Sequence, residues 1–290
     1  PEQAVNRAEF DELTPLFPDE QLVLAGGDDD VTARLVDLVS PVGKGSRGLV
    51  VSPPGAGKTT VLTEIARSIE ANHPDVDVMV VLLDERPEEV TEMARALERS
   101  VVLASTFDRP ADEHCAVAEL CLERAKRRVE LENDVVVIID GLTRLGRAYS
   151  AAAGGSGNSL DPAVIFPAKR FFGAARKVEE GGSLTILATA ATETGSDLDR
   201  AILEEFEGTA NMILQLDRAA ARRQVFPAVD VGGSATRRPE LLVGHDGVAK
   251  RSALRAALTQ ECGDDLLAML EALIARVAAS SDNDALLTGA

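Results

Sequence analysis

This chain has no tryptophan, one tyrosine and aromatic residues at only 3% of its 290 positions. Its core must therefore be built from aliphatic side chains. No apolar run approaches the ~20 residues that a membrane-crossing helix needs, and no signal-peptide pattern opens the chain. Three cysteines, Cys115, Cys121 and Cys262, are odd in number and share no metal-ligand or redox spacing, which points to a reducing cytoplasm. Basic residues are also short: 30 Lys and Arg against 48 Asp and Glu leave a net charge of −18. A broad basic face of the kind that nucleic-acid proteins present is thereby excluded, while a local basic strip is not. The acidity fits a saline cytoplasm or simple solubility, and the sequence does not choose between them. The first residue is Pro1, not Met, so the chain is expected to be processed or cut from something longer.

What is present is a chain of globular composition, 45% hydrophobic and 27% charged, organised around Gly48-Leu-Val-Val-Ser-Pro-Pro-Gly-Ala-Gly-Lys-Thr-Thr60. The apolar run at its start suits an inner parallel strand. Ser52 to Gly57 reads as a tight loop, and Lys58, Thr59 and Thr60 open a helix whose apolar positions are Val61, Leu62, Ile65 and Ala66. That layout is a phosphate-binding loop: small residues let backbone N–H groups form an anion nest at a helix N-terminus. Lys58 would reach the β/γ-phosphates, and the Thr59 hydroxyl would bind Mg²⁺. Ser52 stands where the strict pattern has Gly. The plainer reading is a Gly/Pro turn that happens to end in Gly-Lys-Thr.

Further apolar runs follow at Val78–Leu83, Ser100–Ala104, Asp134–Asp140, Leu184–Thr189 and Met212–Leu216, with helical patterns over Val31–Val39, Glu88–Leu97 and Ala111–Leu131. Strands alternating with helices predict an α/β protein with a mostly parallel β-sheet flanked by helices. Residues 150–162 read as a mobile loop. The last helix uses Leu266, Leu267, Leu270, Leu273, Ile274 and Val277. Phe10, Leu13, Leu16 and Phe17 would pack onto a domain edge. The expected division is an edge segment over 1–40, the main domain over 41–279 and a frayed tail over 280–290.

Ligands of such sheets sit beyond the carboxyl ends of the strands. Asp140 closes five apolar residues, the placement of a Mg²⁺-positioning acid; the alternative is a helix N-cap before Gly141. Glu85 ends the second strand, where it is equally readable as the base that activates water or as a solvated strand-end acid. Arg86 would contact phosphate or pair with Asp84. Arg237, on the loop Gly232–Arg238, taken by itself reads more simply as a surface arginine than as one reaching into a neighbour's site.

Several longer strings carry a resemblance: Leu83-Asp-Glu-Arg-Pro-Glu-Glu-Val-Thr-Glu-Met93, Ala104-Ser-Thr-Phe-Asp108, Leu142-Thr-Arg-Leu-Gly-Arg-Ala-Tyr149, Lys169-Arg-Phe-Phe-Gly-Ala-Ala-Arg176, Glu179-Glu-Gly-Gly-Ser-Leu-Thr185 and Val225-Phe-Pro-Ala-Val-Asp230. In order and over nearly the whole chain, they resemble the C-terminal RecA-type P-loop NTPase domain of the transcription termination factor Rho family. The resemblance implies a cytoplasmic homo-oligomer, a ring of six subunits. Such a ring hydrolyses ATP with Mg²⁺ between neighbours, pulls RNA through its central hole and acts on RNA polymerase. It implies a nucleotide site of Gly43, Lys44, Gly45, Ser46, Arg47, Gly48, Gly55, Ala56, Gly57, Lys58, Thr59, Thr60 and Arg86, with Phe226 stacking on adenine. Glu85 would be the catalytic base, Asp140 the Mg²⁺ acid, and Arg237 the arginine finger given to the adjacent subunit.

The chain also departs from the family pattern. Gly55 replaces a basic residue of the phosphate loop and Gln224 an arginine. Both pore-loop lysines are gone: one loop has Ser156-Gly-Asn158, the other Gly195-Ser-Asp197, and the first is shortened to Asp161-Pro162 where the family is glycine-rich. A ring of aspartates should repel a polyanion. Two functions therefore stand side by side: an RNA-dependent ring ATPase, or a divergent paralogue that binds and hydrolyses ATP without moving RNA, in a regulatory or protein-binding role. A purely structural nucleotide-binding protein is a third class, one that would leave Glu85 and Arg237 idle.

Overall fold

A computed structural model describes residues 8–26, 30–154 and 162–289. A 3-10 turn, Phe10–Glu12, and strand β1, Pro15–Leu16, lead to helix α1, Val31–Val39. Then follow β2 (Arg47–Ser52), α2 (Lys58–Asn72), β3 (Asp77–Glu85), α3 (Pro87–Ala96), β4 (Val101–Thr106), α4 (Ala111–Val129), β5 (Asp134–Asp140) and α5 (Leu142–Ala152). The second half runs α6 (Pro162–Gly173), β6 (Arg176–Val178), β7 (Ser183–Ala191), α7 (Asp197–Thr209), β8 (Met212–Gln215), α8 (Arg218–Arg222) and β9 (Ala235–Thr236). Three helices close it: α9 (Glu240–Cys262), α10 (Leu266–Ala278) and α11 (Asn283–Thr288).

The strands lie in the order β4-β3-β5-β7-β2-β8-β9. Every pair from β4 to β8 is parallel. β9 runs antiparallel to β8, and β6 pairs antiparallel with both β7 and β1. The predicted α/β sheet is thus present, with antiparallel edges that the apolar runs did not signal.

Why the inner strands are mainly apolar on both faces follows from the two-residue period of a strand. Val78, Val80 and Leu82 of β3 join Val136 and Ile138 of β5 in a core under α1, α2 and α10. Met79, Val81 and Leu83 join Val135, Val137 and Ile139 in a second core under α4, α5, α6 and α7. Both faces of the sheet are covered, so neither set tolerates polar residues. Aromatics are spent sparingly: Phe172 and Phe206 meet edge to face with ring centroids 5.6 Å apart in the second core.

Two expectations about the ends change. The 280–290 tail is not frayed through its length: α11 is capped by Asp282, whose carboxylate accepts from Ala285 N at 2.7 Å, and Leu286 and Leu287 are buried. The apolar pair, not its closeness to the end of the chain, decides the outcome. At the other end Phe10 and Leu13 are buried as expected, while Leu16 and Phe17 stay exposed and Phe17 lies under the Arg238 guanidinium. The loop expected over 150–162 gives way at both margins, since α5 continues through Ala152 and α6 begins at Pro162; Asn158 lies outside the described residues.

Candidate functional site

The phosphate-loop sequence forms the predicted strand–loop–helix unit. β2 ends at the buried Ser52, and α2 starts at Lys58 after two glycines with positive φ, Gly55 at 78° and Gly57 at 86°. A side chain at Gly57 would meet left-handed strain and would come within 3.6 Å of the Phe226 ring, so the backbone itself lies beneath that ring. Gly55, Ala56, Gly57, Thr60 and the half-exposed Phe226 line one end of a cavity of about 970 Å³ that continues along α2 past Glu64 and Ser68.

Charges converge behind the loop. Lys58 Nζ lies 2.5 Å from Asp140 Oδ2 and 3.3 Å from Glu85 Oε1. Asp140 accepts a second hydrogen bond, from Thr189 Oγ1 at 2.7 Å. Neither bond is to a helix N–H, and the residue capping α5 is Gly141; the N-cap reading of Asp140 therefore falls. Glu85 also receives Arg144 Nη1, which donates in addition to the Leu83 carbonyl at 3.0 Å. Burial works against the Arg144 charge, but the carboxylates of Asp140, Glu85 and Asp84 outweigh it and hold the guanidinium above its ordinary value.

Glu85 is not the solvated strand-end acid that was its alternative: it is 4% exposed. The register of β3 against β4 shifts between Leu83 and Glu85, and Asp84 is left-handed at φ 54°. That is a β-bulge, a device that re-aims side chains at strand ends. It turns Asp84 to solvent and Glu85 inward. Glu89, one turn into α3, is pushed up by partial burial and by the adjacent Glu85 carboxylate. Arg86 is exposed at the start of α3 and, among the described residues, forms no ion pair with Asp84.

Gly43, Lys44, Gly45, Ser46, Arg47 and Gly48 do not lie at the phosphate loop of their own chain. They lie at the amino end of β2, and the six residues of that strand separate the two ends by about 17 Å. Lys44 pairs with Glu20 and, at 2.9 Å, with Asp134, the first residue of the strand whose last is Asp140. Gly45 N donates to Thr185 Oγ1 at 2.8 Å, near the start of β7. Arg237 is at this same end. Its N–H donates to Asn211 O at 2.7 Å, and Asn211 Oδ1 accepts from Arg47 N at 2.8 Å. Burial, then the charges of Arg176 and Arg237, push the Arg47 guanidinium below its ordinary value, so three arginines crowd the amino ends of the strands.

Asp197 opens α7, whose N-cap Ser196 accepts from Asp199 N at 3.3 Å. It is paired with Arg200 and not left as a bare acid. Sequence reasoning passed over two residues of the charged cluster, Arg144 and Thr189. A hydroxyl near the carboxyl end of the apolar run Leu184–Ala190 was a usable signal for Thr189, although Thr185 shares the run; Arg144 carried no comparable mark. Burial pushes the Cys115 thiol up to about 11 and the Cys121 thiol up to about 12, which keeps both protonated and unreactive.

Known proteins resemble this chain in sequence and in fold. Residues 32–236 match the ATP synthase alpha/beta family, nucleotide-binding domain. The transcription termination factor Rho of Streptomyces lividans is 54% identical over 262 residues, spanning 89% of this chain and 37% of that protein. Rho of Mycobacterium tuberculosis (strain H37Rv) is 55% identical over 262 residues, 89% of this chain and 43% of that protein. Rho of Allochromatium vinosum is 50% identical over 291 residues, 98% of this chain and 69% of that protein. The chain thus spans less than half the length of the first two relatives and about two thirds of the third. A solved ATPase of a bacterial type III secretion system superposes with a TM-score of 0.75 at 20% identity, over 96% of this chain and 86% of that one. The assembled ATPase EscN of enteropathogenic E. coli gives the same score and identity over 97% and 73%. At that identity the likeness speaks for the RecA-type fold alone. The domain match over most of the chain and the Rho factor matched over two thirds of its own length lead to one conclusion: this chain belongs to the transcription termination factor Rho family.

Proposed function

We propose that the chain is the motor portion of a cytoplasmic, hexameric ring ATPase that hydrolyses ATP between subunits and thereby moves along RNA to end transcription. The observation that carries this reading is the Lys58 ammonium held between Glu85 and Asp140 behind the phosphate loop. Phosphate oxygens entering the loop would compete with both carboxylates for Lys58 and meet the N–H groups of the α2 N-terminus. Glu85, steadied by Arg144, accepts the proton of the attacking water. Phe226 supplies an apolar face for the base above Gly57, and Arg86 is free to swing to phosphate.

For Mg²⁺, the donor chemistry fits: the Thr59 hydroxyl and the Asp140 carboxylate are hard oxygens at the ends of adjoining elements. Among the described residues no three acids, histidines or cysteines form a cage of their own, so these two would hold the ion together with phosphate oxygens. When bound, it neutralises charge on the β- and γ-phosphates.

Arg237 lies at the far end of the strands from its own phosphate loop. A ring in which the amino ends of one sheet face the carboxyl ends of the next offers it a γ-phosphate. Arg47 stands beside it, on the same neighbour-facing side. ATP turnover by the purified chain, with and without poly(C) RNA, tests the reading. Stimulation by RNA and loss of turnover by a hundredfold or more in Lys58→Ala are expected. Hydrolysis indifferent to RNA would return the lead to the divergent-paralogue reading, and wild-type turnover in Lys58→Ala would sink the phosphate-loop assignment.

A further inference from the structure

Replacement of a pore-loop lysine by Asp197 suggests an acidic, RNA-repelling loop. The side chains around it are arranged otherwise. The first turn of α7 carries Asp197, Asp199 and Arg200. Asp199 is 1% exposed and fully engaged. Arg147 Nε donates to its Oδ1 at 2.7 Å, while Arg147 Nη2 and Thr194 Oγ1 (2.6 Å) donate to its Oδ2. Its charge is spent on fastening α5 to the 192–196 loop. Asp197 and Arg200 are the exposed pair: their side chains are 78% and 69% accessible, and Arg200 Nη2 lies 2.5 Å from Asp197 Oδ1. Three residues apart on a helix, they share one face. The neighbouring acid Glu193 is paired as well, with Arg218 at 2.9 Å. Acid for acid, the charges around this turn are paired.

Beside the pair opens a concavity of about 370 Å³, lined among others by Thr192, Thr194, Gly195, Ser196, Asp197 and Arg200. Gly195 has a φ of 76°, and a Cβ there would meet nothing within 4 Å, so the backbone leaves open space in front of the loop. A solvent-exposed ion pair is weak. A phosphodiester offers the planar guanidinium two non-bridging oxygens in place of one carboxylate oxygen, a bidentate contact that arginine makes better than lysine does.

We propose that Arg200 is the cation with which this loop grips the RNA backbone, and that Asp197 is its competing partner, exchanged for phosphate when RNA arrives. The cation is not lost from the loop; it has moved one helical turn along it. This rests on the RNA-translocase reading above. It adds what that reading lacks: a residue of this chain for the phosphates to meet, and a reason why an acid at 197 is tolerated. Repeated around a ring, each such contact strengthens the salt dependence of binding.

The test is fluorescence anisotropy of a labelled oligo(C) RNA over a salt series, together with ATP turnover, for the wild-type chain, Arg200→Ala and Arg200→Lys. Arg200→Ala is expected to weaken RNA binding by about tenfold or more and to flatten the plot of log affinity against log salt. Its RNA-independent turnover should be unchanged, which reports intact folding. Arg200→Lys should keep the salt slope and recover most of the affinity. Wild-type affinity and slope in Arg200→Ala, with RNA still stimulating turnover, would overturn the proposal and leave the translocase reading standing. A wild-type chain that neither binds nor responds to RNA would overturn both.

Discussion

The two ends of the parallel strands carry opposite electrostatic designs. At the carboxyl ends, cations and carboxylates close on one another: Lys58 between Glu85 and Asp140, and Arg144 on Glu85. At the amino ends, Arg47 and Arg176 crowd Arg237, whose side chain has neither an ion pair nor a hydrogen bond among the described residues. In a chain with 18 more acids than bases, carboxylates are plentiful, so an arginine cluster without one is a placement and not an accident of composition. The first end pairs its cations with carboxylates of the same chain; the second leaves the Arg237 side chain without one among the described residues. The proposed ring would bring the two ends together across an interface.

Breaking that comparison at its weakest point gives the largest expected effect. Arg237→Ala should lower kcat by about a thousandfold while leaving nucleotide binding to the chain intact, as read by titration with a fluorescent ATP analogue. Glu85→Gln should cost about a hundred- to a thousandfold in kcat. Mixing these two inactive chains sharpens the comparison: recovered turnover places Arg237 across an interface from Glu85, whereas no recovery argues that the two ends do not meet. Phe226→Ala acts on the nucleotide and not on the chemistry, so KM for ATP should rise by about tenfold with kcat little changed.

The smallest effect on activity belongs to a residue remote from both ends. Asp37 of α1 accepts from Leu24 N at 2.9 Å and Ala25 N at 2.8 Å, and burial pushes its carboxyl up from 3.8 to about 6. An acid with a raised folded-state pKa favours the fold below its unfolded pKa, and that contribution is lost as pH rises through the folded value. Wild-type stability should therefore decline between about pH 4 and pH 6, by up to about 3 kcal/mol. Asp37→Asn keeps an acceptor for the two N–H groups without the buried charge. Its melting temperature relative to wild type should rise across that window, with turnover unaffected; a constant difference would show that Asp37 is not the titrating group.

Much of this was legible because it is local. The runs that became β2, β3, β5 and β7 are mainly apolar on both faces, which only a strand covered on both sides requires, and Gly57-Lys58-Thr59 sits where a strand must turn into a helix over an anion. Asp140 was readable from the strand before it. The antiparallel edges β1, β6 and β9 were not, being two or three residues long with no period to detect. Nor was the helix α11, which depends on two leucines finding a surface to bury against.

What the sequence by itself determined is the alternation of strand and helix, the phosphate loop and the family, since these rest on neighbours along the chain. What only the tertiary structure decided is which charges meet. A single-residue bulge at Asp84 turned Glu85 inward to Lys58 and Arg144. The length of β2 carried Gly43–Gly48 away from the loop they precede. One helical turn brought Arg200 back to Asp197. Electrostatic pairing falls off within a few ångströms, so it depends on register and strand length that no local pattern records.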